Sequence, residues 1–578
     1  MSQSSGLYKP LLQGQRIRLL RLLPGQQDDV SCELFTVELS QAPPYEAISY
    51  TWGDPVDTVK IQCSGDVIPI RLNLHAALRR FRHLSDIRIL WTDAICIYQR
   101  STEERERQVG LMGQIYDRAS RVLIWLGEDT EGDADEAFRL ILYVHKHFEA
   151  AFDMNGNFQE LAPLPSESLL LLQTRWQAVR KFFDRPWFSR VWVLQEVGLA
   201  STAVAFCGEK SISWSEIAEL VTLRDFRPDL QSVSDLPTDG ISDAFDFLWC
   251  TYEKTETWRN EHPWIRRKSE YPQNVDRSHF FNLMVVSRNF KATDPRDHIY
   301  AFLGHPASRS ATGSGTIVEA DYNTGVDELY CNVAMRILDE MQSLVLLGAV
   351  DHNDASLSSA GASWVPQLDN GLHSYILTPL PGCGSHYYDA SRRFDSASQV
   401  IIEPYCRFVG GRMEEAKLKL RGFRVDTVYL HSMQMLKDDF FHKSGSEISE
   451  GTKMNPVESA WAMLGPSRES QYSDNRHAFL LTLIAGLDDR RSPAEEDKAL
   501  HEANFLAYCK TYFTTDDKSL QLMRPPHSSL DPNFGHANCF ASLAQRSCSN
   551  RKLFTTAYGR FGFGSRALKK GDLCYVLF

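Results

Sequence analysis

The sequence predicts an α/β fold in its N-terminal part, with a parallel sheet and flanking helices, followed by a mixed α+β region. Residues 87–97 and 121–126 are continuous apolar runs, the pattern of strands buried on both faces. Between them, Ser101 and Glu104 have the spacing of a capping box, and the helix that they open has one apolar face. A strand, a helix and a second strand in this order predict a βαβ unit and hence parallel strands.

Length and composition predict several folded domains. The chain has 578 residues, more than one hydrophobic core usually organises. Hydrophobic residues make up 43% and charged residues 24%, as in folded globular proteins. We expect a strand lead-in over residues 1–43, an α/β domain over 44–210 and a mixed region over 211–578 with a regulatory or sensing role.

Apolar periodicity and turn residues predict the order of the remaining elements. Before the βαβ unit, the predicted elements are strands at residues 16–23, 32–39 and 45–50, a hairpin at 59–70 and a helix at 73–83. After it, the predicted helices are at residues 133–152, 166–183, 186–200, 278–290 and 325–341. Asn73 is expected to cap the helix at 73–83, and Pro186 lies in the first turn of the helix at 186–200.

Charge and cysteine usage exclude several classes of protein. The formal net charge of −12 disfavours a nucleic-acid binder, which needs a basic face. The twelve cysteines form no C-x-x-C pair, as expected for reduced, buried thiols rather than zinc knuckles or a disulfide framework. Residues 1–12 lack an apolar leader, and the longest apolar run, at 479–487, is too short to span a bilayer. We therefore expect a cytoplasmic protein without a membrane span.

Common catalytic motifs are absent from the sequence. It contains no phosphate-binding G-x-x-x-x-G-K-[ST] loop, no G-x-S-x-G elbow and no H-E-x-x-H pair. The glycines at 559–564 have the wrong spacing for a dinucleotide fingerprint. His145 and His147 would point to different helix faces, so we expect structural or solvated histidines and no metal site.

Three tryptophan-rich segments resemble the signature blocks of the heterokaryon-incompatibility (HET) family, in the family's order. They are YEAISYTWGDP at 45–55, LWTDAICIYQ at 90–99 and RPWFSRVWVLQE at 185–196. Residues 293–304 and 570–572 resemble later blocks, and the chain ends soon after at Phe578, so we expect a C-terminal part shorter than in relatives. Thr92 and Tyr98 depart from the usual apolar residue and asparagine of the second block.

The resemblance implies a fold, a substrate and a role. HET domains are distantly similar to TIR domains, which have a flavodoxin-like fold, and some TIR domains cleave NAD with the glutamate of a W-C-x-x-E motif. Trp192 and Glu196 have that spacing, with Val193 at the position of the cysteine. The resemblance thus implies Glu196 as catalytic residue, NAD as a substrate rather than a resident cofactor, and programmed cell death upon non-self recognition through a protein partner.

Residue chemistry near Glu196 is consistent with such a site. The predicted helix at 186–200 is apolar almost all round, with Ser189 and Glu196 on one narrow polar strip. Parallel sheets bind ligands beyond the carboxyl ends of their strands, where a carboxylate can stabilise an oxocarbenium ion. The expected substrate-binding residues are Ser49, Trp52, Gly53, Asp54, Asp93, Ser189 and Trp192.

The sequence leaves two interpretations of this region open. Glu196 either is catalytic or pairs with Arg185, with Arg190 or with a residue elsewhere in the chain and locks the helix. Asp54 either binds substrate or caps the turn before Pro55. The corresponding functions are an NAD-hydrolysing effector and a non-catalytic signalling adaptor that acts through self-association of the HET domain.

Overall fold

Cα packing in the computed structural model divides the chain into two compact units. The first comprises Met1–Val326 with Leu368–Gly371, and the second comprises Asp327–Gln367 with Leu372–Phe578. The predicted boundaries after residues 43 and 210 lie inside the first unit. The structure describes residues 6–11, 14–26, 29–155, 164–227, 230, 233–234, 236, 277–309, 315–341, 343–357, 361–370, 403–409, 412–444, 447–448, 451–452, 454–464, 472–486, 498–513 and 535–577.

A nine-stranded sheet organises the first unit. Its strands are β1 (Arg16–Leu22), β2 (Ser31–Glu38), β3 (Glu46–Tyr50), β4 (Thr58–Cys63), β5 (Asp66–Arg71), β6 (Arg88–Trp91), β7 (Arg121–Trp125), β8 (Ala203–Cys207) and β9 (Lys210–Ser213). They lie in the order β5-β4-β2-β1-β6-β3-β7-β8-β9. The prediction of an α/β fold with a large sheet is confirmed. The prediction that the sheet is parallel holds for its four middle strands and for the β2–β4 pair. It is wrong for the other pairs, because β1, the β4–β5 hairpin and β9 pair antiparallel with their neighbours.

The four middle strands are parallel, and their order in the sheet differs from their order along the chain. In space they lie as β6-β3-β7-β8, so the first of them along the chain lies between the second and the third. Glu46 pairs with Arg121 and Tyr50 with Trp125, which aligns the carboxyl ends of β3 and β7 at one edge of the sheet. The loops after β3, β6 and β7 therefore begin at that edge.

The helices of this unit lie between its strands or follow β9 in the sequence. They are α1 (Leu72–Phe81), α2 (Asp93–Cys96), α3 (Thr102–Arg118), α4 (Ala134–Asn155), α5 (Gln177–Phe183), α6 (Trp192–Gly198), α7 (Trp214–Phe226), α8 (Arg277–Val286) and α9 (Asp297–Tyr300). The predicted start of α3 is confirmed, since the Ser101 hydroxyl accepts a hydrogen bond from the Glu104 N–H at 3.2 Å. Its predicted apolar face is buried, with Ile115 and Tyr116 almost fully so.

β1 pairs with β6 in this sheet, and a buried ion pair attaches it to α3. Arg18 on β1 donates to both carboxylate oxygens of Glu104, at 2.5 and 3.0 Å. The same carboxylate accepts the Tyr98 N–H at 2.7 Å, and Arg18 also donates to the Cys96 carbonyl at 3.1 Å. Burial of two charges is favourable only when such additional hydrogen bonds satisfy them. The first 43 residues thus hold the start of α3 and the loop after β6 in place.

Several predicted elements differ from the structure. The strand predicted at 87–97 ends at Trp91, because Asp93 begins the short helix α2. Asn73 lies inside α1 rather than at its cap, and its side chain donates to the Thr51 carbonyl at 2.6 Å and accepts from the Trp125 indole at 2.9 Å. Two 3-10 turns, at residues 169–171 and 173–176, precede α5 where one continuous helix was predicted.

The second unit is α+β, as predicted for the C-terminal region. Its strands are β10 (Glu403–Val409), β11 (Arg412–Lys419), β12 (Gly422–His431), β13 (Glu447–Ile448), β14 (Gly451–Thr452), β15 (Arg551–Thr556), β16 (Phe561–Ser565) and β17 (Leu573–Leu577). Its helices are α10 (Val326–Met341), α11 (Asp354–Leu357), α12 (Pro456–Leu464), α13 (Tyr472–Leu483), α14 (Lys498–Tyr512) and α15 (Ala537–Cys548). The largest sheet has the order β16-β15-β12-β17, and a hydrophobic core includes Phe479, Tyr508 and Phe540.

The cysteines follow the prediction in part. Six of the described free cysteines are buried: Cys32, Cys63, Cys96, Cys207, Cys509 and Cys548. The expectation that none forms a disulfide is wrong for Cys331 and Cys406, which are bonded to each other. They are 75 residues apart, so their spacing in the sequence gave no sign of the pairing. Among the helices that the structure describes, none has both the length and the hydropathy needed to cross a bilayer.

Two glycines of α3 give a matched test of how closely it packs. A Cβ built on Gly113 would lie 2.5 Å from the Gly304 Cα, whereas a Cβ on Gly110 meets nothing within 4 Å. We predict that Gly113→Ala lowers the free energy of unfolding by about 1–3 kcal/mol through overpacking. Gly110→Ala should raise it by roughly 0.5–1 kcal/mol because alanine favours helix. Denaturant titration measures both, and equal effects of the two changes would contradict the close approach of α3 to Gly304.

Candidate active site at the carboxyl end of β3

The segment that carries Glu196 is a broken helix. A 3-10 turn, Pro186–Ser189, is followed by Arg190 in extended conformation and then by α6. At the break, the Val191 N–H donates to the Lys291 carbonyl at 3.0 Å, and the Lys291 N–H donates to the Ser189 carbonyl at 2.5 Å. The prediction of one helix over 186–200 is therefore wrong, because the backbone at the break pairs with residue 291 instead of continuing the helix.

This break also removes the predicted polar strip. Ser189 and Glu196 share a face only if one helix carries both residues. In the structure, the Ser189 hydroxyl donates to the Pro186 carbonyl at 2.9 Å, within its own turn. Ser189 thus caps local backbone and makes no described contact with Glu196.

Glu196 is buried against the central strand. Its side chain is 4% exposed, and Ser49 on β3 is fully buried beside it. The Ser49 hydroxyl donates a short hydrogen bond to the Glu196 Oε2 and accepts the Trp187 indole N–H at 2.8 Å. The Ser49 hydroxyl therefore links Trp187 in the 3-10 turn to the Glu196 carboxyl group. These two hydrogen bonds fix the position of the carboxyl group relative to β3.

Arg190 is the positive charge of the site. One nitrogen of its guanidinium donates to the Tyr50 carbonyl, and the other lies 3.9 Å from the Glu196 Oε1. The Arg190 side chain is 19% exposed, in contrast to Glu196. The pairing expected between Glu196 and one of two arginines is thus made by Arg190. Arg185 instead donates to the Leu126 and Glu128 carbonyls, at 3.3 and 3.2 Å.

Trp52 and Asp93 connect the segments that follow β3 and β6, next to Arg190. The Trp52 indole N–H donates to the Asp93 Oδ2 at 2.7 Å, which joins the loop after β3 to the start of α2. The Asp93 Oδ1 accepts the Ala94 N–H at 2.7 Å. Trp52 and Asp93 are both partly exposed. Together with Arg190 they form the accessible side of the site, and Glu196 and Ser49 lie behind them.

Burial and the charge of Arg190 set the ionisation of the two acids. Burial raises the pKa of Glu196 to about 7, although Arg190 and the Ser49 hydrogen bond oppose the increase. Burial also raises the pKa of Asp93, against the attraction of Arg190 and the hydrogen bond from Trp52. The negative charge of Asp93 raises the pKa of Glu196 further. Glu196 is consequently about half ionised at neutral pH, as general acids and bases commonly are.

Two other predicted site residues, Gly53 and Asp54, stabilise the loop after β3. Gly53 has φ +76°, which favours glycine, and its carbonyl accepts the Arg71 guanidinium at 2.7 Å. The same guanidinium lies over the Trp52 ring, 4.8 Å from its centroid. Asp54 is exposed, and its carboxylate accepts the Val56 N–H at 2.9 Å. These contacts match the interpretation of Asp54 as a turn cap, and they shape the loop that carries Trp52.

Trp192 has a partner that the sequence did not indicate. Its indole N–H donates to the Asp297 Oδ2 at 3.0 Å, and the Tyr322 hydroxyl donates to the Asp297 Oδ1 at 2.8 Å. Burial raises the pKa of Asp297 to about 6, although both hydrogen bonds oppose it. Asp297 thus links Trp192 on α6 to Tyr322. The resemblance at 293–304 included Asp297 but gave it no role, since only the fold brings it to Trp192.

Comparison with known proteins supports the resemblance over this region. Residues 45–196 match the family model "Heterokaryon incompatibility protein (HET)". This range contains Ser49, Trp52, Asp93 and Arg190, and it ends at Glu196. The match covers part of the chain, and it is the part that carries the site.

A curated relative shows similarity over a longer stretch. "Heterokaryon incompatibility protein 6, OR allele" of Neurospora crassa is 30% identical over 236 residues, which covers 35% of each chain. The match therefore spans about a third of the relative's length. No solved structure matches this chain.

The raised pKa of Glu196 predicts a dependence of stability on pH. Since the folded pKa of about 7 exceeds the ordinary value of 4.5, the stability present below pH 4.5 is lost as pH rises through 7. The side chain of the Glu196→Gln variant is neutral at every pH. As pH rises over this range, the free energy of unfolding of the variant should therefore increase relative to that of wild type by about 3 kcal/mol. Denaturant titration at several pH values measures the difference. Glu136→Gln on exposed helix surface is the control, and a difference that does not vary with pH would contradict the assignment.

Proposed function

We propose that this chain acts in heterokaryon incompatibility and that its first unit hydrolyses NAD once activated. The observation that carries the proposal is Glu196, buried against Ser49 at the carboxyl end of the central strand β3, where burial raises its pKa to about 7. The match of residues 45–196 to the HET family and the printed name of the Neurospora relative support the incompatibility role. Both matches cover a minor part of the chain, so the role of the whole protein is part of the proposal.

The strand order supports a TIR-like, flavodoxin-like core. The parallel strands lie in the order second, first, third, fourth, as in flavodoxin-like sheets. In such sheets ligands bind where the order reverses, which here is between β3 and β7. Ser49, Tyr50 and Trp52 lie at the end of β3, at this position.

The chemistry proposed for this site is cleavage of the bond between nicotinamide N1 and ribose C1′. The bonding electrons leave with nicotinamide, which departs as a neutral ring, so no general acid is required. The positive charge that develops on the ribose is stabilised by the ionised carboxylate of Glu196. Water then bonds to C1′ and loses a proton, which gives ADP-ribose. Asp93 would accept hydrogen bonds from the ribose hydroxyls, and the Trp52 ring would contact the nucleotide.

Burial of Glu196 implies that the described state is silent. A ribose cannot reach a carboxyl group that is almost fully buried beside Arg190, so activation must move the segment at residues 186–191. Arg190 is suited to this change because an arginine pairs readily with a phosphate group. The NAD diphosphate could attract its guanidinium away from Glu196. We assign the release to a protein partner, sensed by the C-terminal region, in the cytoplasm.

One observation favours a second function, that of a non-catalytic adaptor. Glu196 is paired with Arg190 and Ser49 and is almost inaccessible, as a purely structural acid would be. In that case the HET segment triggers death through contacts between copies of the chain. Surface changes that block self-association would then matter, whereas the charge of Glu196 would not.

Substitution of Glu196 separates the two functions in cells. We predict that Glu196→Gln in the full chain abolishes both NAD loss and cell death while the protein accumulates normally. The reason is that a neutral amide cannot stabilise the oxocarbenium ion. Chromatography of NAD and nicotinamide, with a viability assay under activating conditions, measures both effects.

The control for this experiment is Glu136→Gln, which changes an exposed acid of α4. Cells that express this variant should lose NAD and die as cells with the wild-type chain do. Death with intact NAD in the wild type would favour the adaptor. Normal NAD loss in the Glu196→Gln variant would eliminate Glu196 as the catalytic residue.

A further inference from the structure

A second cluster of ionisable groups lies between α4 and α7. Glu216 and Glu219 are three residues apart on α7, so their side chains project from one face of the helix. α4 packs against α7 and presents His145 to that face. The His145 Nδ1 lies 3.5 Å from the Glu216 Oε2 and contacts the Glu219 Oε2. The three potential ligand atoms all lie within 4.8 Å of one another.

We propose that this cluster binds a divalent metal ion, Zn²⁺, and thereby fastens α7 to α4. One imidazole nitrogen and two carboxylate oxygens are a ligand set that zinc accepts, with a fourth position left for water. Tetrahedral bonds of about 2.0–2.2 Å place ligand atoms roughly 3.3–3.6 Å apart. The separation of His145 and Glu216 already fits, and Glu219 needs only a small rotation to admit the ion.

Burial and charge favour a cation at this point. The Glu219 side chain is 3% exposed, whereas His145 and Glu216 are each 23% exposed and leave access from solvent. Two carboxylates close together repel each other, and an imidazolium contributes at most one compensating charge. A zinc ion neutralises both carboxylates while leaving the imidazole neutral, which is the form of histidine that binds metals.

The proposal does not depend on the chemistry proposed for Glu196. The ligands belong to α4 and α7, and none of them is among the residues that surround Glu196. It departs from the expectation, drawn from motif spacing, that the histidines are structural or solvated. The spacing in the sequence conceals the cluster because 71 positions separate His145 from Glu216.

Metal binding by the purified full chain tests the proposal. After dialysis against a chelator, we expect one equivalent of Zn²⁺ to bind by titration calorimetry, with Co²⁺ giving the intense absorption of a tetrahedral site. His145→Gln and Glu219→Gln should each weaken binding by at least about tenfold, since even loss of a residue that only orients a ligand can cost as much. His147→Gln, on another face of α4, should bind as wild type does, and so should Glu196→Gln.

The outcomes are distinct from those of misfolding. Circular dichroism checks the fold of each variant, and Glu216→Gln replaces Glu219→Gln if loss of the buried acid unfolds the protein. Absence of zinc binding by the wild type would overturn the proposal in favour of an ion triad of His145 with the two glutamates. Binding that persists unchanged in His145→Gln would overturn it as well, because the metal would then be held elsewhere.

Discussion

The hydrogen bond between Ser49 and the buried carboxyl of Glu196 joins the central strand to α6, and the rest of the site depends on it. Ser49 belongs to β3, which lies between two other parallel strands and has little freedom to move. Trp187 donates to the same hydroxyl from the other side of the helix break. A carboxyl group in this position is costly to bury unless its hydrogen bonds are made, and Ser49 and Arg190 supply the described partners.

Burial, together with two acids that share one nearby cation, explains why the pKa of Glu196 lies near neutral pH. Arg190 is one cation, and Glu196 and Asp93 are two acids that both interact with it. Full ionisation of both acids would leave a net negative charge in a poorly solvated place. A proton therefore remains on the pair at a pH where ordinary carboxyl groups are ionised, and the macroscopic titration belongs to both groups. Any ligand that attracts Arg190 changes this balance and so changes the ionisation of Glu196.

Sequence patterns predicted the elements whose signal is local. The apolar run at 121–126, the capping spacing at Ser101 and the hairpin pattern at 59–70 correctly predicted β7, α3 and the β4–β5 hairpin, because nearby residues determine these elements. The patterns failed where distant residues decide the backbone. Lys291 breaks the predicted helix at Arg190, and no periodicity within 186–200 could show this. Likewise, Asp297 became a partner of Trp192 only through the fold.

The candidate site was predicted in the same uneven way. Ser49, Trp52, Asp93 and Glu196 lie together, since the ends of β3 and β6 and the start of α6 meet at one edge of the sheet. Ser189 and Asp54 instead satisfy local backbone groups. Arg190 was considered only as a structural partner, yet its charge controls both acids.

The pH dependence of nicotinamide release from NAD by the full chain under activating conditions tests the central claim most directly. If the ionised carboxylate of Glu196 stabilises the ribose cation, the rate should rise as pH is raised through about 7, where Glu196 loses its proton. Release no faster than in the Glu196→Gln variant, or a rate that does not change across this pH range, would contradict the account.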